Sequence, residues 1–78
     1  MTPRIENVTP LEDYRLLIEY KSGERRVFDA KPLLEIEPWS QLKGAKYFGM
    51  VRPAFCAVEW PGGIDIAPET LYEDSVPA

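Results

Sequence analysis

A chain of 78 residues with one cysteine and no histidine has neither a disulfide nor a zinc site to staple a small fold together. Cys56 has no partner thiol within the chain, and no Cys/His spacing marks a structural metal. A domain this short buries only about 60% of its unfolded surface, so its core is marginal without such help. Two solutions remain open: a very well packed core, or a second chain that covers part of it. Either way a single domain is expected over residues 1–78, with an ordered core from about 4 to 73.

The opening MTPRIENVTP lacks the apolar run of a signal peptide, and no apolar stretch approaches the ~20 residues that cross a bilayer. Together with a free thiol, this leads to an expectation of a cytoplasmic protein in a bacterium-like cell. The net charge of -4 repels phosphate backbones and argues against nucleic acid as a partner.

Along the chain, no repeat, linker or low-complexity block interrupts a compact unit. Ile5 to Thr9 reads as a first strand closed by Pro10, and Leu11 to Tyr14 as a turn. YRLLIEYK alternates, with Tyr14, Leu16, Ile18 and Tyr20 on one face. Ser22-Gly23 then separates it from RRVFD, which predicts a β-hairpin with a two-residue loop. Counting from that loop pairs Glu19 with Arg26, Ile18 with Val27 and Leu17 with Phe28.

Pro32 and Pro38 suit the first positions of short helical turns that carry Leu33, Leu34, Trp39 and Leu42 toward the sheet, with Gly44 ending the second. Tyr47 to Arg52 and Phe55 to Trp60 read as strands, and Arg52-Pro53 as a break or sheet edge. Pro61-Gly62-Gly63 is a tight turn into Ile64-Asp65-Ile66. A last helical turn opens at Ala67-Pro68, and the closing EDSVPA is expected to fray. The pattern is α+β: a small antiparallel sheet of four to six short strands built from hairpins, with two or three helical turns.

The chemistry is sparse. Glu59, Asp65, Glu69, Glu73 and Asp74 could hold a hard cation, but their spacing matches no calcium loop. Asp65 between two isoleucines reads instead as the outward residue of a strand, and Glu69 as a first-turn helix charge. Cys56, placed mid-strand and without a histidine for a base, reads as a small core hydrophobe. Gly62-Gly63 fits no phosphate-cradling motif. No enzyme activity, cofactor or metal is therefore expected.

Two tryptophans, four tyrosines and three phenylalanines raise a different question. A small core needs large side chains, yet so many aromatics leave some available as interface anchors, Trp39 and Trp60 first among them. Lys21, Arg25 and Arg26 surround the hairpin tip, where they are either a solvated end or a contact for phosphates or an acidic partner.

These residues resemble a small bacterial family. V-T-P, D-Y-R-L, S-G-E-R-R-V-F-D, P-L-L and then V-E-W-P-G-G-I-D-I-A-P-E-T-L-Y occur in an order and spacing similar to domain of unknown function 2442, over about Ile5 to Tyr72. The resemblance implies a small α+β fold like that of a Nitrosomonas protein's N-terminal domain, and it implies no catalytic residues. It also implies a genetic neighbour, a small protein of family 4160, in an arrangement that looks like a toxin–antitoxin pair. Some longer relatives continue into a helix-turn-helix domain. This sequence has none after Tyr72, so direct operator binding is not expected of it. Asp29 and Asp65 match the signature without a packing reason and are expected to cap backbone N–H groups of the turns that follow.

The first expectation is therefore a non-enzymatic interaction module, the antitoxin-like half of a two-gene pair, meeting the neighbouring gene's small basic protein or itself. Its partner surface would draw on Arg25, Arg26, Trp39, Tyr47, Trp60, Asp65 and Tyr72. A transcription-associated regulator or sensor domain is the alternative, and a carboxylate-based metal-binding protein a weaker one.

Overall fold

The computed structural model describes residues 2–78. The hairpin forms as expected from strands β2 (Arg15–Tyr20) and β3 (Arg25–Asp29), but its loop is one residue longer than the two-residue reading. Gly23 N–H donates to the Tyr20 carbonyl at 2.9 Å and Tyr20 N–H to the Glu24 carbonyl at 2.8 Å, leaving Lys21, Ser22 and Gly23 as the loop. A two-residue loop would demand a turn type dominated by Gly, Asn or Asp at its positive-φ positions. Placing the turn one residue earlier leaves the left-handed conformation to Gly23 alone, at φ +94°.

That single residue changes the register. Glu19 pairs with Arg25, Ile18 with Arg26, Leu17 with Val27 and Leu16 with Phe28. Arg25, not Arg26, therefore faces solvent beside Glu19. Arg26 stands on the inner face with the buried Leu16, Ile18 and Phe28.

Strand β1 (Ile5–Leu11) adds to β2 on the other side, running past Pro10, which an edge strand tolerates. Ile5 and Val8 both face the core although three residues apart, because a bulge at Glu6 shifts the register between Ile5 and Asn7. The segment Glu12–Tyr14 is a tight turn, with Asp13 and Tyr14 both in the left-handed region at φ 60° and 57°.

After β3, the prolines punctuate as expected. Short 3-10 turns cover Lys31–Glu35 and Trp39–Lys43, burying Leu34 and Leu42, and Gly44 ends the second. The strand expected over Tyr47 to Arg52 is instead helix α1 (Ala45–Phe48), which buries Phe48 and leaves Tyr47 half-buried. A short apolar run is compatible with either element, and here only packing against the core distinguishes them.

Strands β4 (Arg52–Ala54), β5 (Ala57–Trp60) and β6 (Ile64–Ile66) make a second antiparallel sheet, with Pro61-Gly62-Gly63 as the tight turn. Phe55 and Cys56 are the turn between β4 and β5, not strand residues. Cys56 is half-buried, its Sγ 3.5 Å from the Thr2 carbonyl, which corrects the core reading. Helix α2 (Pro68–Glu73) buries Leu71.

The chain end does not fray. Strand β7 (Val76–Pro77) pairs with β3, Ala78 N–H reaches the Arg25 carbonyl at 3.0 Å, and Ser75 is buried. The fold class is α+β, with seven strands among the described residues arranged in sheets β1-β2-β3-β7 and β4-β5-β6, where a single sheet had been expected. No helix among the described residues is long and apolar enough to cross a membrane.

The core joins both sheets. Trp60 is its largest fully buried side chain, at 0% exposure, with its indole N–H donated to the Phe48 carbonyl at 2.9 Å. Phe48 links it onward, 5.9 Å from the Trp60 ring and edge-on to Tyr14 at 5.2 Å. The interface-anchor reading of Trp60 is thus overturned: the space between the two sheets needs the indole.

Candidate interaction surface

The remaining residues expected at a partner surface do not gather in one place. Trp39 is half-buried and donates its indole N–H to the Asp65 carbonyl at 2.9 Å, tying the 3-10 turn to β6. Tyr47, also half-buried, donates its hydroxyl to the Pro61 carbonyl and so braces the Gly62-Gly63 turn. Arg25 is exposed and 3.6 Å from Glu19. The Asp65 side chain projects outward from β6.

Arg26 and Tyr72 do meet, inside a polar network that closes the C-terminus onto the first sheet. The Arg26 guanidinium donates to Glu24 Oε2 at 2.9 Å, to the Ser75 hydroxyl at 2.6 Å and to the Ser75 carbonyl at 2.7 Å. It also lies over the Tyr72 ring, 4.6 Å from its centre. Tyr72 donates its hydroxyl to Glu24 Oε1 at 2.6 Å, and Ser75 donates to the Tyr72 carbonyl at 2.7 Å. The Tyr72 hydrogen bond, then the Arg26 contact, holds the Glu24 carboxyl below its usual range, and the same bond raises the Tyr72 hydroxyl. The guanidinium is thus committed to the fold, and the basic cluster at the hairpin tip keeps only Lys21 and Arg25.

Tyr20 lies edge-on to Tyr72 at 5.5 Å, with its hydroxyl buried and lacking a hydrogen-bond partner among the described residues. Burial pushes that hydroxyl up to about 12, against the pull of the Arg26 charge. Because the folded value lies above the unfolded one near 10, the associated stability is complete below about pH 10 and is lost as pH rises toward 12. Tyrosinate absorbance during alkaline titration is expected to show Tyr20 ionising only as the domain unfolds. Tyr20→Phe, which removes the unpartnered hydroxyl, should be at least as stable and flatten that alkaline decline.

The two signature aspartates part company. Asp29 accepts the Lys31 N–H at 3.0 Å, a backbone cap at the start of the 3-10 turn, and pairs with the Lys31 ammonium at 3.1 Å. Burial alone would raise its carboxyl, but both Lys31 contacts outweigh it and the group sits below its usual range. Asp65 makes no such bond: helix α2 begins after Ala67 with no side-chain cap. Asp29→Ala is expected to lower stability by about 1 kcal/mol and Asp65→Ala to leave it unchanged, as read by chemical denaturation.

Beyond Arg52, the exposed charged residues are all acidic. No lysine or arginine follows Arg52, whereas Asp65, Glu69, Glu73 and Asp74 are all exposed and have no ion-pair partner among the described residues. Asp65 lies on β6, Glu69 and Glu73 on α2 and Asp74 at the end of α2. No three acidic or thiol groups converge into a metal-sized cluster among the described residues. Sequence reasoning also missed Phe55. It is the one aromatic left mostly in solvent, at 74% exposure, and it adopts φ 57° in its turn. Alternation alone carried no signal that the strand would begin two residues later, at Ala57.

Two packed antiparallel sheets, capped by short helices and sealed by an internal polar network, define a small α+β domain. The chain belongs to the family described as protein of unknown function (DUF2442), whose model matches residues 5–77, nearly the whole chain. No curated protein and no solved structure matches it.

Proposed function

We propose that this chain is a non-enzymatic interaction module, the acidic, antitoxin-like member of a two-gene pair, and that its partner is a small basic protein. The observation that supports this reading is the set of exposed carboxylates Asp65, Glu69, Glu73 and Asp74, none of which has an ion-pair partner among the described residues. The set is carried by the chain segment after Arg52, which has no cation of its own. Such a set raises the association rate with a basic partner and disfavours acidic ones, while contributing less to final affinity. The half-buried Arg26 network, by contrast, is engaged in holding Ser75 and the β7 segment against β3.

Co-expression with the product of the adjacent reading frame, followed by co-purification, tests the reading. A complex is expected, and reversal of Glu69, Glu73 and Asp74 to lysine should slow its formation at least tenfold at low salt. Failure to capture the neighbouring gene product, or an association indifferent to both salt and charge reversal, counts against it.

A further inference from the structure

The fold leaves an aromatic plug at one end and an apolar socket at the other. Phe55 protrudes from the β4–β5 turn, held there by its carbonyl, which accepts the Ile5 N–H at 2.7 Å at the start of β1. A cavity of about 320 Å³ opens beside the far end of β1, walled by Pro10, Leu11, Tyr14, Ala45 and Phe48. An apolar cavity of about 150 Å³ already takes up benzene, so this one has room for a phenyl ring. Residues Ile5 to Leu11 span roughly 20 Å at about 3.3 Å per residue, in a molecule 31 Å long. Phe55 therefore cannot reach the socket of its own chain.

We propose that Phe55 of one copy inserts into the Tyr14–Phe48 socket of a second copy, giving a head-to-tail self-association. Charge favours that occupant. The Arg4 guanidinium lies over the Phe55 ring, 4.9 Å from its centre, and travels with the plug. Glu12 and Asp13 line the socket, and neither carboxylate has an ion-pair partner among the described residues. The nearby cations point elsewhere: Arg15 bonds the Glu12 carbonyl at 3.4 Å, and the Lys31 ammonium bonds the Asp13 carbonyl at 3.0 Å. Arg4 of the entering copy meets both free carboxylates. Since plug and socket are different surfaces, the contact is heterologous and runs into rings or open chains rather than stopping at a dimer. A single aromatic anchor between chains of net charge -4 makes a weak contact. The proposal uses neither the acidic residues of α2 nor a foreign partner, so it stands or falls apart from the reading above.

Sedimentation of the full chain from about 10 μM to about 1 mM covers the range in which such a contact registers. The average mass should rise with concentration, and Phe55→Ser and Ala45→Trp should each weaken the association at least tenfold. Both positions are exposed, and a denaturation curve for each variant confirms that it folds. Mixing the two variants is the decisive step. Phe55→Ser keeps an open socket and Ala45→Trp keeps a free plug, so the mixture should form a one-to-one pair that grows no further. Concentration-dependent NMR shifts of the Phe55 ring and the Ala45 methyl give a second readout in the unmodified chain. A monomer throughout that range, association unchanged in Phe55→Ser, or no pairing in the mixture overturns the proposal.

Discussion

Replacing Trp60 with alanine is expected to unfold the domain or leave it barely stable at room temperature. The side chain is fully buried between the sheets, packs on Phe48 and satisfies the Phe48 carbonyl. Truncating a buried tryptophan costs about 3–5 kcal/mol in transfer and cavity energy. A domain of this size has only roughly 4–12 kcal/mol in total. Urea denaturation followed by far-UV circular dichroism measures the loss. Trp60→Phe should recover much of the stability, because it restores most of the volume but not the indole N–H. A Trp60→Ala variant of unchanged stability would place the indole outside the core and refute the packing described above.

The adjacent arginines should behave oppositely. Arg26→Ala is expected to cost about 2 kcal/mol or more, because it removes three hydrogen bonds from a charged donor and strips the Ser75 carbonyl of its partner. Arg25→Ala removes one exposed contact with Glu19 and should cost less than about 0.5 kcal/mol, vanishing in high salt. The same comparison tests the three-residue loop, since a two-residue loop would exchange the faces of the two arginines. Faster hydrogen exchange at Val27 and Ala78 in Arg26→Ala would show that β7 detaches once its anchor is gone. Equal losses in both variants would argue against the observed register.

The contrast between those arginines also shows where sequence reading stops. A Ser-Gly between two alternating runs announces a hairpin, but two loops differing by one residue are both compatible with it. The loop is settled only when Leu16, Ile18 and Tyr20 bury against the second sheet and Arg26 finds Ser75, a residue 49 positions away. Trp39 and Trp60 look alike as letters. One bonds the Asp65 carbonyl at the rim and the other fills the space between the sheets, and no local pattern separates them. The Asp29 cap was legible because its acceptor lies two residues from its donor. Asp65 resembled it in spelling, but the helix after it starts too late.

Proline, glycine and alternating hydrophobicity acted within a few residues of themselves, and they set the hairpin, the short helical turns, the Pro61-Gly62-Gly63 reversal and the α+β class. Absence of histidine and of a second cysteine likewise followed from composition and left no internal disulfide and no Cys/His zinc motif. The strand at the chain end, the inward Arg26, the buried Trp60 and the protruding Phe55 came from contacts between segments far apart in the chain. Burial and charge pairing act through space, so those positions acquired their roles only once two sheets had closed on one core.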